Sequence, residues 1–198
     1  MNINPKVIRG NWTNGWALDV HTSGSIYIGI DEWGHKKFDT TYTEIGEALN
    51  KLKYGNDRTQ VDPIAKIVTE FIRTKRELDD IRAILAVPPS DTKRRFQPVP
   101  ALVTAIGAKL HLQVPTNYII KTKNTKPLKD MDDNQKRHEE LKDAFKIADE
   151  RYKGCHVLLF DDLFRSGETL NAISAVLISQ GEVNKVSVLT ATMTRAKR

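Results

Sequence analysis

The sequence predicts an α/β protein with an open parallel sheet flanked by helices, and three observations support this fold class. Two short apolar runs, AILAV at residues 83–87 and VLLF at residues 157–160, are typical of strands that are buried on both faces. From residue 81 onward such runs alternate with helical patterns, as parallel strands joined by helical crossovers require. The chain has 198 residues, which is enough for one α/β domain with a small addition.

A small β-rich hood is expected ahead of this domain, at residues 1–40. This stretch contains runs of β-branched and aromatic residues separated by glycine and other turn residues, as in a hairpin or meander. Thr41 and Glu44 then fit a capping box for a helix that ends near Tyr54. The sequence therefore predicts a hood at 1–40 and an α/β domain at 41–198.

The elements of the α/β domain follow from the residue pattern in chain order. Asp62 is expected to be the N-cap of a helix with Pro63 as its first residue, and Pro88 stops the strand at 83–87. Residues 121–135 are polar and lack periodicity, so they predict a long loop, which either closes over a ligand or is a disordered surface loop. The remaining predicted elements are a helix from about Pro98 to Leu110, a strand near Tyr118 to Ile120, a helix that ends near Tyr152, a strand from Cys155 to Phe160, a helix from Glu168 to Gln180 and a strand from Lys185 to Thr192.

Composition excludes several classes of protein. Hydrophobic residues make up 39% of the chain and charged residues 28%, as in ordinary globular proteins. No apolar run approaches the roughly 20 residues of a membrane helix, and the first residues lack the apolar segment of a secretory signal. The single cysteine, Cys155, excludes an internal disulfide framework and a cysteine-based structural zinc site. We expect a cytoplasmic protein without membrane association.

The net charge of +6 leaves three interpretations open. A basic surface attracts nucleic acid, or a small polyanion such as a pyrophosphate ester, or it is simply a solvated face. Lysines and arginines recur in several segments and are interleaved with acids, which weakens the nucleic-acid interpretation. The five histidines do not have metal-ligand spacing, and the three tryptophans suit either a small core or a base-stacking surface.

The segment VLLFDDLFRSGETL, at residues 157–170, is the strongest candidate for a functional site. A buried strand ends in two carboxylates, Asp161 and Asp162, and a loop at 163–167 leads into a helix near Glu168. Ligands of open parallel sheets bind at this end of the strands. The first backbone N–H groups of the helix suit a phosphate, and the carboxylates suit sugar hydroxyls or a hydrated Mg²⁺. The alternative is an ordinary strand end at which Ser166 only caps the helix.

This segment resembles the phosphoribosyl-pyrophosphate motif of type I phosphoribosyltransferases. The resemblance implies that Asp161 and Asp162 are catalytic and contact the ribose hydroxyls directly or through Mg²⁺. It also implies a cradle for the 5-phosphate, in which Arg165 stands where the family usually has a small residue, and Glu168 is expected to point away from the phosphate. The cradle consists of Arg165, Ser166, Gly167, Glu168 and Thr169.

Further segments resemble the ComF-like branch of that family. LNKLKYGND, at 49–57, is similar to a Lys-Tyr-Gly segment and makes Lys53 a substrate-binding candidate. AVPPS, at 86–90, followed by KRRF, at 93–96, resembles the loop after the first strand, although its glycine is missing. By this resemblance the pyrophosphate is held by Ser90, Lys93, Arg94 and Arg95, and the mobile-loop pattern is matched by Gln135, Arg137 and Phe145. The usual four-cysteine zinc module is absent.

The function that the resemblance implies is transfer of a 5-phosphoribosyl group from phosphoribosyl pyrophosphate to an acceptor nitrogen, with release of pyrophosphate. The acceptor is expected to be a nucleobase or a related small molecule. The alternative is a non-catalytic protein that binds or senses phosphoribosyl pyrophosphate, or that binds single-stranded DNA, since a shared fold does not guarantee an enzyme. The oligomeric state is left open, a homodimer included.

Overall fold

The computed structural model describes residues 1–91, 94–123, 140–141 and 143–195, and five of the strands in this part of the chain form the central sheet. All strands of the described residues, in chain order, are β1 (Lys6–Val7), β2 (Asn14–Ala17), β3 (Thr22–Ile30), β4 (Lys36–Tyr42), β5 (Ile81–Ala86), β6 (Ile119–Lys121), β7 (Phe145–Ile147), β8 (His156–Phe164) and β9 (Lys185–Met193). The helices are α1 (Glu44–Tyr54), α2 (Val61–Arg73), α3 (Pro98–Leu110) and α4 (Glu168–Ser179), with 3₁₀ turns at Arg58–Gln60 and Arg76–Leu78.

The predicted α/β fold class with a mostly parallel central sheet is confirmed. The strand order is β1-β2-β9-β8-β5, in which β2, β9, β8 and β5 are parallel and β1 is antiparallel to β2. One face of the sheet packs against α1, α2 and α3. The other face packs against α4 and the β6–β7 pair. The central strands are therefore buried on both faces, as their continuous apolar runs predicted.

The N-terminal segment contributes to two separate sheets. β1 and β2 extend the central sheet, because β2 pairs with β9 from Asn14 to Ala17. β3 and β4 form a separate antiparallel hairpin. Trp16 is buried against Phe71 with ring centroids 6.1 Å apart, whereas Trp33 at the hairpin turn is exposed. The division of the chain at residue 40 stays a prediction.

Two helix starts differ from the sequence prediction. The residue that caps α1 is Thr43, whose hydroxyl accepts from the backbone N–H of Gly46 at 3.1 Å, and not Thr41. Thr41 cannot cap the helix because it is paired within β4. Asp62 lies inside the first turn of α2, since a preceding 3₁₀ turn already begins the helical path.

The region around residues 118–152 departs most from the prediction. The predicted strand near Tyr118 forms as β6, but it pairs antiparallel with β7 and not with the central sheet. The predicted helix up to Tyr152 is wrong where β7 and the following turns lie, because Phe145 is buried in a strand beside Leu141 and Tyr118. Most of the predicted lid, at 124–135, lies outside the described residues, as do Gln135 and Arg137.

Candidate functional site

The acidic pair lies inside β8 and not after it. Cross-strand pairing with β9 continues past the apolar run, with Asp161 opposite Thr190 and Phe164 opposite Met193. The connection to α4 is therefore only residues 165–167, shorter than the predicted loop at 163–167. The apolar run ended at Phe160, but backbone pairing with β9 and not side-chain polarity determines where the strand ends.

The two carboxylates point in different directions. Successive side chains of a strand alternate between the two faces of the sheet. Asp162 contacts Lys53 of α1, with 2.6 Å between the ammonium nitrogen and carboxylate oxygen Oδ2. One oxygen of Asp161 instead accepts the backbone N–H of Asp162 at 2.8 Å. The pair is thus not a single two-carboxylate site on one face.

Lys53 neutralises Asp162 at the junction of α1 and β8. The exposed fractions of the two side chains are 31% for Lys53 and 13% for Asp162, so water screens this ion pair less than a surface pair. Lys53 lies in the last turn of α1, where the helix dipole also favours a cation. The structure therefore brings Lys53, a predicted substrate-binding residue from residues 49–57, into contact with a predicted catalytic carboxylate.

Asp161 retains its proton more readily than an ordinary aspartic acid. Burial raises the pKa of the Asp161 carboxyl, and the negative charge of Asp162 raises it further. The backbone hydrogen bond from Asp162 and the charge of Lys53 act in the opposite direction. Thr190, opposite Asp161, is fully buried, and its hydroxyl has no hydrogen-bond partner among the described atoms.

His21 belongs to the same cluster, although the sequence did not indicate it. Its Nδ1 lies 3.2 Å from the hydroxyl of Thr192, which in turn donates to the backbone carbonyl of Asp162 at 3.1 Å. Burial lowers the pKa of His21, the charge of Asp162 raises it, and the charges of Lys53 and Arg165 lower it. His21 directly follows Val20, which forms an isolated bridge with Met193 of β9. The sequence signal that could have identified His21 is its position as a polar residue just after the apolar run that contains β2.

The proposed phosphate cradle surrounds the first turn of α4. Gly167 is the N-cap residue, with a φ of 81°, and no side-chain hydrogen bond caps the helix, so the alternative in which Ser166 only caps the helix is wrong on this point. Arg165 and Ser166 are exposed, whereas Glu168 and Thr169 are half-buried. The first N–H groups of a helix lack intrahelical partners and attract anions.

Packing also requires glycine at position 167. A side-chain carbon there would lie 2.9 Å from the ring of Phe164 and 3.5 Å from that of Trp12. These two rings meet edge to face with centroids 6.4 Å apart. Positive φ and close packing are each sufficient reasons for glycine, so its presence alone does not indicate a ligand.

The loop after β5 begins at the same edge of the sheet. The backbone N–H of Val87 donates to the carbonyl of Phe160 at 3.0 Å, one residue before Asp161. Ser90, Arg94 and Arg95 are exposed on this loop, and Lys93 lies outside the described residues.

Two further contacts hold the loop. The amide of Gln97 donates to the backbone carbonyls of Asp91 and Arg94 at 2.8 and 3.0 Å. The guanidinium of Arg58 lies 4.8 Å from the ring centroid of Phe96. A cavity of about 260 Å³ flanks the start of the loop and is lined by residues that include Pro88 and Pro89. The contact between Arg58 and Phe96 adds a basic residue from the 3₁₀ turn before α2 to Arg94 and Arg95 of the loop.

The side chains that could bind a metal ion can be compared with the predicted Mg²⁺ site. No group of three or more histidine, cysteine, aspartate or glutamate side chains is arranged for a metal ion within the described ranges. Magnesium is often held by only one or two carboxylates together with substrate oxygens. Because Asp161 and Asp162 point in different directions, they do not form a metal site by themselves, and only one of the two carboxylates at a time is placed to contact an ion that arrives with a phosphorylated ligand.

Comparisons with known proteins give no family for the chain. No family model matches, and no curated protein matches. Similar solved structures include UMP synthase from Leishmania donovani, with 14% identity, a TM-score of 0.41 and coverage of 84% of this chain and 28% of that chain. Adenine phosphoribosyltransferase from Leishmania tarentolae has 11% identity, a TM-score of 0.41 and coverage of 98% and 100%. The enzyme of that name from Leishmania donovani has 12% identity, a TM-score of 0.39 and coverage of 98% and 92%. TM-scores below 0.5 leave the family of the chain open.

Among the described residues, no helix is both long enough and apolar enough to cross a membrane.

Proposed function

We propose that this chain is a phosphoribosyltransferase that transfers the 5-phosphoribosyl group of phosphoribosyl pyrophosphate to an acceptor nitrogen and releases pyrophosphate. The resemblance of residues 157–170 to the phosphoribosyl-pyrophosphate motif suggests this activity. The observation that carries the proposal is the pairing of β5 with β8, because the loop that contains the basic residues starts at Val87, whose N–H donates to the carbonyl of Phe160, the residue before Asp161.

The cradle is assigned to the 5-phosphate. The free N–H groups in the first turn of α4 would donate to the phosphate oxygens, and the hydroxyls of Ser166 and Thr169 would add two further donors. Arg165 is exposed beside them and contributes a full positive charge when it turns inward. This end of the substrate is fixed by charge and hydrogen bonds, which position the sugar for reaction.

The acidic pair is assigned to the ribose hydroxyls and to a substrate-borne Mg²⁺. Asp161 and Asp162 would accept hydrogen bonds from the hydroxyls directly or contact them through the ion. When bound, Mg²⁺ would supply positive charge that stabilises the departing pyrophosphate. The ion pair between Lys53 and Asp162 must loosen or reorganise for Asp162 to act in this way.

The loop after β5 and Lys53 are assigned to the pyrophosphate. Ser90, Lys93, Arg94 and Arg95 would donate to its oxygens. In the reaction, a bond forms between the acceptor nitrogen and C1′ of ribose as the bond from C1′ to a pyrophosphate oxygen breaks, and that oxygen takes the electron pair. Cations at this position stabilise the charge that develops there.

A pyrophosphate-release assay tests the proposal. Purified protein is mixed with phosphoribosyl pyrophosphate, Mg²⁺ and single nucleobases or related nitrogen heterocycles. We expect one acceptor class to stimulate pyrophosphate release, and the Asp161→Asn/Asp162→Asn variant to lose that stimulation. Absence of acceptor-dependent release with every acceptor, under conditions in which phosphoribosyl pyrophosphate is bound, would contradict the transfer reaction.

A non-catalytic binder of phosphoribosyl pyrophosphate is the second candidate. It is favoured by the neutralised state of the acidic pair, because Lys53 engages Asp162 and the pKa of Asp161 is raised. This candidate predicts ligand binding without acceptor-dependent release. The +6 net charge keeps single-stranded DNA as a further ligand of such a protein, which fluorescence anisotropy with a labelled oligonucleotide would detect.

A further inference from the structure

The outer edge of β5 is open at its carboxyl end. β5 is the last strand in the order of the central sheet, and on its outer side Ala83 forms an isolated bridge with Gln113. The backbone N–H of Ile84 donates to the carbonyl of Gln113 at 3.0 Å, and no described residue continues this pairing toward Ala86. The last residues of β5 therefore present backbone groups that have no strand partner on this side.

Pro115 explains why the pairing stops. In a parallel ladder with this register, the N–H of residue 115 would donate to the carbonyl of Ile84. Proline has no N–H, so this hydrogen bond cannot form. The carbonyl of Ile84 points to the same side as its N–H and accepts no hydrogen bond from the described residues.

Ala86 presents the next N–H and carbonyl on the outer side of β5. Because the N–H of Val87 donates to the carbonyl of Phe160 on β8, the backbone groups of Ala86 face away from β8. Ala86 is half-buried, and its N–H has no partner among the described residues. Backbone groups in the protein interior are nearly always paired. A hydrogen-bond donor and an acceptor on one residue are thus left for a ligand.

A cavity of about 260 Å³ lies against this open edge. Residues 85–87 form one wall, Val103 and Thr104 of α3 form a second, and residues from 114 to 119 form a third. No charged side chain lines the cavity. Proline rings are rigid and hold the cavity in shape before a ligand arrives. Four of the eight prolines of the chain line it: Pro88, Pro89, Pro100 and Pro115.

The size and chemistry of the cavity favour a small planar heterocycle. Pockets for drug-sized ligands measure about 300–1,000 Å³, so a cavity of about 260 Å³ suits one or two fused rings. The apolar walls pack against the faces of a flat ring. A ring edge with a hydrogen-bond acceptor beside an N–H donor matches the backbone N–H and carbonyl of Ala86. A phosphate or a carboxylate finds no cation among the lining residues, which distinguishes this cavity from the candidate functional site.

We propose that this cavity is a binding site for a planar nitrogen heterocycle in which an N–H donor adjoins an acceptor. The acceptor of the ligand takes the N–H of Ala86, and its donor pairs with the carbonyl of Ala86 or of Ile84. The open edge faces away from β8 and its acidic pair. The inference therefore does not rest on the proposed phosphoribosyltransferase activity.

Titration of the isotopically labelled protein with 7-azaindole, followed by amide chemical shifts, tests the site. 7-Azaindole carries a ring N–H beside a ring-nitrogen acceptor, and indole is the matched ligand that lacks this acceptor. We expect 7-azaindole to shift the amide resonance of Ala86. The dissociation constant of indole is expected to be at least roughly tenfold higher, because it leaves the N–H of Ala86 without a partner.

Two tryptophan variants of α3 locate the site. Thr104 is an exposed residue that lines the cavity, so Thr104→Trp places a large ring there and is expected to abolish binding of 7-azaindole. Ala108→Trp is the matched control, since Ala108 is exposed one turn later on the same helix and does not line the cavity. The control is expected to bind like the wild type. Circular dichroism verifies that both variants are folded.

Four results would overturn the proposal. Absence of a shift at Ala86 up to the solubility limit of 7-azaindole would show that the edge takes no such ligand. Equal affinity for indole would show that the hydrogen-bonding edge plays no part. Unchanged binding by folded Thr104→Trp would place the ligand elsewhere. An acetylated tetra-alanine peptide that shifts Ala86 where 7-azaindole does not would make the edge a docking site for a β-strand.

Discussion

The ammonium group of Lys53 lies 2.6 Å from a carboxylate oxygen of Asp162 and joins α1 to β8 at the carboxyl edge of the sheet. This contact connects two segments that are 109 residues apart in the chain. Any ligand cation or hydroxyl that contacts Asp162 must compete with Lys53 for this carboxylate. The ion pair also contributes to the free energy of unfolding, which can be measured.

Loss of this ion pair is expected to destabilise the fold. Lys53→Met leaves the largely buried carboxylate of Asp162 without its cation, and we expect the free energy of unfolding to fall by about 1–3 kcal/mol. Urea unfolding measures the change. Lys51→Met is the matched control on the same helix, because the pair of Lys51 with Glu47 is exposed, and it should unfold like the wild type. Equal losses of unfolding free energy in the two variants would show that the ion pair of Lys53 stabilises the fold no more than an exposed pair.

Acid sensitivity is expected from a second cluster, at the opposite end of the sheet. Hydrogen bonds from His156 and Lys185 lower the pKa of the Asp80 carboxyl from 3.8 to about 2. A carboxyl with a lowered folded-state pKa stabilises the fold above its unfolded pKa, and this contribution disappears as the pH falls from about 4 to about 2. Wild type and Asp80→Asn should therefore differ in unfolding free energy at pH 6 and converge near pH 2. A difference that does not depend on pH across this window would contradict the assignment.

Alanine substitutions at two glycines distinguish the cost of backbone strain from the cost of a side-chain clash. Gly154 and Gly167 both have positive φ, at 71° and 81°, but only Gly167 has the ring of Phe164 within reach of an added side-chain carbon. Alanine in the left-handed region costs roughly 1–2 kcal/mol, so Gly154→Ala should lose about that much stability. Gly167→Ala should lose clearly more. If Gly167→Ala is the milder variant in urea unfolding, the packing of Phe164 against position 167 is not as described.

The fold class was predictable because it depends on burial. The apolar runs of β5 and β8 are strands in the central sheet, and these patterns reflect burial on both faces. The end of β8 was not predictable in this way, since Asp161 and Asp162 are polar yet their backbone still pairs with β9. Likewise Phe145 is in a strand and not in the predicted helix, because its partner Lys121 belongs to a separate strand, β6, which pairs with it only after folding.

Candidate site residues within one segment were easier to predict than contacts between segments. The order of acids, loop and helix start around α4 follows from local sequence. Lys53 was indicated only by a resemblance, and its contact with Asp162 required the packing of α1 on the sheet. His21 carried no motif at all, and its neighbours Thr192 and Asp162 come from distant strands.

Binding of inorganic phosphate at α4 tests the proposed cradle and the role of Glu168, whose negative charge opposes anion binding. Glu168 begins the helix where an anion would bind, and removal of its charge should leave binding of inorganic phosphate equal or stronger in Glu168→Gln. Calorimetric titration measures the affinity. Glu70→Gln, at an exposed position of α2, controls for the change in net charge. A severalfold loss of affinity in Glu168→Gln alone would mean that Glu168 is part of the binding site and that the cradle is assigned incorrectly.

Titration of phosphoribosyl pyrophosphate in the presence of Mg²⁺ measures whether Asp161 and Asp162 belong to a binding site for this ligand. Isothermal calorimetry on the wild type and on Asp161→Asn/Asp162→Asn compares the affinities, with circular dichroism to verify that the variant is folded. We expect binding by the wild type and an affinity at least roughly tenfold weaker in the variant, equivalent to about 1.4 kcal/mol. No binding by the wild type, or unchanged affinity in the folded variant, would contradict the proposed site.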